Sequence, residues 1–267
     1  MKLTNFIPAI LLFITLASCN NNDEGVNIFT IDQDKELGMQ VKQEIASDPV
    51  KYPILSRTTY ASAYAYLDQM KATILASGSV TYKNEFVWEL FIIHNDSIQN
   101  AFCTPGGYIY VYTGLIKYLD NATSLAGVLG HEIAHADKRH TTEAMTKQYG
   151  IATLVSVLLG ENQNTLSDIA QSLVGLTFSR ENESEADKYS VRYLCPTLYR
   201  ANGAAEFFTK IINQGGLQIP EFLSTHPNPD NRVSNINMEA TSLSCAGGGI
   251  TQSDDVNAYN SFKASLP

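Results

Sequence analysis

Two imidazoles and a carboxylate stand together in His131-Glu132-Ile133-Ala134-His135. Residues four apart share one face of a helix, so both rings can reach a single metal ion. Glu132 projects beside them, where a carboxylate can act as a base toward water. Val128, Leu129 and Ile133 surround the group, and burying two histidines and an acid in so apolar a helix is costly unless they share a purpose. A zinc site needs a third protein ligand. The run Arg180-Glu181-Asn182-Glu183-Ser184-Glu185-Ala186-Asp187 offers one. Glu183 and Asp187 are four apart on an expected helix, so one can ligate while the other holds a His ring nitrogen from behind. On spacing alone Glu181 and Glu185 are alternatives. His140, near the end of the same expected helix as His131, reads as a surface residue at a helix C-terminus.

The elements that must carry these groups follow an α+β order. Ile31, Leu37, Val41 and Ile45 recur at near-helical spacing through Ser47, with acids at the start. Ser56 looks like the cap of a second helix to about Ala76, with Tyr60, Tyr64, Leu67, Met70 and Ile74 on one face. Phe86 to Ile93 is aromatic and β-branched and predicts a buried strand. Ile98 to Cys103 predicts another, Pro105-Gly106-Gly107 a turn, and Tyr108 to Tyr112 a third strand. Asp120 or Asn121 caps the helix carrying Leu125, Val128, Leu129, Ile133 and Ala136. Further helices are expected at 141–159, 165–178, 182–195 and 202–213. The very apolar Ile151–Leu159 is too short to span a membrane and predicts a core helix.

At 267 residues, 44% apolar and 17% charged, the chain is neither disordered nor a coiled coil and predicts one main domain. Lys and Arg number 18 against 27 Asp and Glu, with no basic run, which argues against nucleic acid as a partner. Lys2, the apolar run Phe6 to Ala17 and Leu16-Ala17-Ser18-Cys19 have the layout of a bacterial lipoprotein signal. This predicts a signal peptide over 1–18, acylation of Cys19 and a membrane anchor through that residue. Residues 19–29 read as a polar tether, 30–244 as the folded domain and 245–267 as a tail packing on it. The expected location is the cell envelope, at the periplasmic face of the outer membrane, with the acidic stretch after Cys19 resembling signals for surface display. Cys195 and Cys245 are the remaining pair once Cys19 is lipidated and Cys103 lies in a strand. They form either a disulfide or two buried thiols.

HExxH followed by E-x-x-A-D resembles the zinc metallopeptidase family that includes the HtpX heat-shock proteases and the CAAX prenyl endopeptidases. The likeness covers most of residues 30–240. It takes in Glu36-Leu37-Gly38, Asn100 through Val111, Leu125 through His140, Ser179-Arg180 with Glu183 and Ala186-Asp187, and Thr225-His226-Pro227 with Arg232. In layout the chain is closest to the family's single-domain lipoprotein members. Cys103 departs from the pattern, standing where relatives commonly carry a small or apolar residue. The resemblance implies a zincin-like (gluzincin) fold, mostly helical with a small sheet beside the HExxH helix, and one Zn²⁺ per chain. It selects Glu183 as the third ligand beside His131 and His135, with Asp187 behind them. It also brings His226 and Arg232 close to the zinc, there to stabilise an oxyanion or to occlude the metal. An edge around Asn100, Ala101, Phe102, Pro105, Gly106 and Gly107 would pair with extended substrate. The implied activity is a metalloendopeptidase for unfolded or misassembled envelope proteins. The alternative is a zinc-binding chaperone or assembly factor with little turnover.

Overall fold

Thr30 opens the first helix with a reciprocal cap: its hydroxyl accepts from the Gln33 amide while the Gln33 side chain accepts from its own. The computed structural model describes residues 27–214, 221–227, 231–245 and 248–267. The expected signal peptide, Cys19 and the tether up to residue 26 lie outside them. Helices α1 (Ile31–Ser47) and α2 (Ala61–Leu75) precede strands β1 (Glu89–Ile93), β2 (Ala101–Thr104) and β3 (Tyr108–Tyr112). Then come α3 (Thr113–Tyr118), α4 (Ala122–Asp137), α5 (His140–Tyr149), α6 (Ile151–Leu158), α7 (Gln163–Ser172) and α8 (Arg180–Leu194). The last are α9 (Gly203–Asn213), α10 (Phe222–Thr225), α11 (Arg232–Ser242) and α12 (Gln252–Lys263). The sheet order is β1-β3-β2, with β1 parallel and β2 antiparallel to β3, so β2 is an edge strand. It is the strand against which α4 packs, and the α+β order expected from the sequence holds.

Several boundaries move for local reasons. The second helix begins at Ala61, because the Ser56 hydroxyl is spent on Thr58 and the Thr59 amide in a preceding turn. The first strand begins at Glu89: Trp88 takes a positive φ of 51°, and its indole N–H donates to the Tyr82 carbonyl. Asn95 accepts from the Ser97 amide in an Asx turn, which delays the second strand to Ala101. Gly150, at φ 78°, splits the helix expected over 141–159. Of its second half only Leu154 and Val157 are buried, while Ile151, Val155 and Leu159 are exposed, so this is not a core helix. The chain leaves α7 at Ser172, which frees Phe178 from helical geometry. Among the described residues no helix is long and apolar enough to cross a membrane.

Small residues set the position of α4. A Cβ on Gly127 would lie 2.1 Å from the Ala204 nitrogen, and one on Gly203 would lie 2.2 Å from the Thr123 carbonyl oxygen, so α4 and α9 meet backbone to backbone. On the α8 side the Ser190 hydroxyl donates to the Gly127 carbonyl at 2.9 Å. Gly127→Ala is therefore expected to destabilise the fold by about 3 kcal/mol, because neither backbone can yield. That is a fall in Tm of roughly 6–12 °C at this size, read by thermal unfolding.

Candidate metal centre

The close approach of α4 and α8 turns His131 and His135 toward Glu183 in the first turn of α8. His131 Nε2 and His135 Nε2 are 3.0 Å apart, and the Glu183 carboxylate lies 3.4 Å from the first and 3.3 Å from the second. His226, immediately after α10, adds Nδ1 at 3.3 Å from His131 Nε2 and 3.0 Å from Glu183 Oε1. One ligand atom from each of the four falls within 4.8 Å of the others, and all four side chains are buried. Glu181, the alternative read from spacing, is an exposed residue of the same helix turn.

The donor set fits zinc. Imidazole nitrogens that face one another at hydrogen-bond distance with a carboxylate between them share one centre more readily than they satisfy each other. Both oxygens of Glu132, Glu183 Oε2 and His226 Nε2 are buried without a hydrogen-bond partner, although buried polar atoms rarely go unpaired. Arg232 Nη2 does come within 2.9 Å of Glu183 Oε2, but out of hydrogen-bonding alignment. Two nitrogens, a carboxylate oxygen and a further nitrogen are ligands that zinc accepts in tetrahedral sites.

Behind the ligands lies a second layer of partners. His131 Nδ1 is 3.0 Å from Asp187 Oδ1. Arg232 fixes that carboxylate with two bonds, Nε to Oδ2 at 2.6 Å and Nη2 to Oδ1 at 2.8 Å. The same Nη2 is 3.3 and 3.2 Å from the two nitrogens of His131, and so stands over the ring. His140 is not on the surface: it begins α5, is buried, and brings Nδ1 to 3.0 Å from His135 Nδ1 and Nε2 to 3.0 Å from Glu185 Oε2. The sequence reading missed this because it ran the α4 helix on to His140. Arg139 instead takes a left-handed conformation at φ 61° and starts a new helix.

Without the metal, the protonation of the site is uneven. Burial works against a charged His131 ring, yet the hydrogen bonds it donates to Asp187 and Glu183 outweigh it and raise its pKa to about 9. Burial, and then the neighbouring His131 charge, hold His135 well below its ordinary value. Burial opposes ionisation of Glu183 too, but His226 and the ring hydrogen bonds keep it well below the carboxylate range. Glu132 is pushed up by burial. Its carboxylate thus holds a proton more readily than one in water, as a group that accepts and returns a proton must.

Other residues expected at the site lie elsewhere. Asn100, Ala101 and Phe102 are on edge strand β2 or next to it, but the outer side of that strand is covered. The Gln99 carbonyl accepts from the Phe222 amide, and the Cys103 carbonyl accepts from the Thr141 hydroxyl. Pro105, Gly106 and Gly107 pack against α1 and Trp88; a Cβ on Gly38 would come within 1.9 Å of the Pro105 carbonyl oxygen. Cys103 is buried with its thiol on Thr141. Cys195 and Cys245 are bonded to each other. Two aromatics that sequence reasoning passed over flank His226: Phe222 stacks on its ring at 4.1 Å between centroids and Phe178 at 5.3 Å.

A family model for "Peptidase family M48" matches residues 61–240, which holds α4, α8 and every candidate ligand. The chain belongs to peptidase family M48. The beta-barrel assembly-enhancing protease of Yersinia pestis is 30% identical over 231 residues, covering 80% of this chain and 45% of that protein. Its Escherichia coli (strain K12) counterpart is 28% identical over the same length and shares. The mitochondrial metalloendopeptidase OMA1 of Arabidopsis thaliana is 34% identical over 161 residues, 59% of this chain and 32% of that protein. The chain thus spans less than half the length of these relatives. Membership of the family gives the matched region a zincin-like peptidase domain, and the converged side chains are a set that could hold its zinc.

Metal and fold are thereby linked. Zinc at a thousand times its Kd stabilises a protein that binds it only when folded by about 4 kcal/mol. Chelation is therefore expected to lower Tm by roughly 8–16 °C. Thermal unfolding with and without chelator reads this, and an unchanged Tm would count against the site.

Proposed function

We propose that this chain is a metalloendopeptidase of unfolded or misassembled cell-envelope proteins, held at the membrane by lipid on Cys19. In this reading His131, His135 and Glu183 hold the zinc, and Asp187, clamped by Arg232, holds His131 from behind. Zinc, when bound, supplies Lewis acidity, which makes water acidic near neutral pH and polarises a peptide carbonyl. Glu132 takes the proton from the attacking water and returns it to the departing amine. The observation that carries the reading is the pairing of a converged ligand set with a buried carboxylate, one residue along the helix, whose two oxygens have no other partner.

Two features support the substrate class. An edge strand recognises extended backbone, so a chain must be unfolded locally to pair with β2 once the Phe222 and Thr141 bonds that cover its outer side give way. Two relatives are named for enhancing β-barrel assembly, and the N-terminal apolar run with Leu16-Ala17-Ser18-Cys19 reads as an address in the envelope. The test is cleavage of unfolded casein beside a folded globular control, each with the unmodified protein and with Glu132→Gln. Cleavage of casein alone, by the unmodified protein alone, is expected. Equal cleavage of both substrates would overturn the quality-control reading.

One observation favours a second reading, a zinc-binding chaperone or assembly factor with little turnover. His226 Nδ1 stands among the ligand atoms, and the whole set is shut away from solvent. Under this reading Glu132→Gln changes nothing measurable.

A further inference from the structure

The two histidines of the HExxH helix are held from behind by different chemistry. His131 Nδ1 meets a carboxylate, that of Asp187, whereas His135 Nδ1 meets another imidazole. The hydrogen bonds of that second pair follow from the geometry. His135 presents Nε2 to Glu183 and His131, so Nε2 is the nitrogen with its lone pair toward the metal. A neutral imidazole carries its hydrogen on one nitrogen, so His135 carries it on Nδ1 and donates to His140. His140 Nδ1 must then accept, which leaves its own hydrogen on Nε2, pointing at Glu185 Oε2 at 3.0 Å. Glu185 is half-exposed, so the chain of bonds runs from a buried ligand to a carboxylate at the surface.

The fold holds His140 in this place. Arg139 bends the chain through a left-handed residue, and its guanidinium is gripped by the buried Asp34 carboxylate at 2.6 Å and by the Phe29 carbonyl. Thr142, two residues beyond His140, donates to the other oxygen of Asp34 at 3.0 Å. The first helix thus clamps the elbow on both sides of His140. A buried imidazole with both nitrogens engaged is more than a filler of space.

We propose that His140 is a positioning residue for the zinc: with Glu185 behind it, it fixes the tautomer and ring angle of His135 through a His135–His140–Glu185 hydrogen-bond chain. This rests on the assignment of His135 as a ligand. Partners of this kind change metal affinity by about 10- to 100-fold when removed.

Zinc affinity, measured by competition with a chromogenic chelator, tests it in three variants. His140→Phe keeps a ring of similar shape and lacks the acceptor; it is expected to weaken zinc binding by about 10- to 100-fold. His140→Asn is smaller but can set its amide oxygen near the place of Nδ1, and is expected to stay within about threefold of the unmodified protein. Simple packing predicts the reverse order, and that order would overturn the proposal, as would equal affinity in all three proteins. His135→Ala is the control for the underlying assignment: if it binds zinc as tightly as the unmodified protein, the ligand assignment fails and not only the positioning role. Imidazole ¹⁵N spectra of the unmodified zinc-loaded protein give a test that no folding defect can blur. A protonated Nε2 and bare Nδ1 on His140 are expected, and a protonated Nδ1 on that ring would overturn the proposal.

Discussion

Glu132→Gln is expected to reduce casein cleavage on the order of a thousandfold, in line with the removal of a general base and acid. Zinc content should be unchanged, because Glu132 is not among the four converged side chains. The amide keeps the volume and shape of the carboxylate, so packing around the base survives. Stability should not fall and is expected to rise. In the unmodified protein a carboxylate sits fully buried, with both oxygens unpartnered and with burial pushing its pKa up. That arrangement costs folding energy which a neutral amide costs less. A variant that is inactive, zinc-loaded and at least as stable as the parent carries the signature of an active-site acid kept for function. Activity within tenfold of the parent would remove Glu132 from the reaction, and loss of zinc along with activity would make it a structural support of the site. Cleavage rate, metal content and Tm on the same preparations separate these outcomes.

The histidine ligands were legible because their pattern is local. His131 and His135 are one helical turn apart, so helix geometry puts them on one face, whereas spacing left Glu181, Glu183 and Glu185 open and only the family resemblance selected Glu183. What brings the two helices together was less visible. Gly127 and Gly130 stood inside the Leu125–His140 match with no role assigned, and only their contacts across the helix interface, with Ser190 among them, show that they set the distance on which Glu183 depends. His140 was misread for a related reason: a single left-handed residue, Arg139, turns a helix end into an elbow, and no glycine marks the place. The last helix escaped notice because its inward face opens on an acid. Asp255, Tyr259 and Phe262 are the buried positions of α12, and Asp255 is inside because it accepts from the Thr123 amide at the start of α4. Apolar periodicity cannot register such a position. The apolar run at Ile151–Leu159 failed in the opposite sense, with composition predicting burial that three of its large side chains do not have.

His226→Ala is expected to raise casein cleavage on the order of tenfold, corresponding to release of about 1.4 kcal/mol that holds the site shut. The ring occupies the space the reaction needs. Its Nδ1 faces Glu183 and His131, and its Nε2 is 3.5 Å from Glu132 Oε1, so it lies between the ligand set and the base, where an attacking water belongs. Phe222 and Phe178 hold it there by stacking, and the Phe222 amide also donates to the Gln99 carbonyl beside β2. Movement of the Phe222–His226 segment is therefore expected to open the site for water and to free the Gln99 end of that edge together. His226→Phe tells what does the closing. If both variants gain activity, the nitrogen at the metal site holds the site closed; if only His226→Ala gains, the stacked ring itself blocks the way. A fall of a hundredfold or more in both would make His226 a donor to the oxyanion instead, since loss of such a donor costs that much. Zinc content should hold in every case, because His131, His135 and Glu183 remain to bind it.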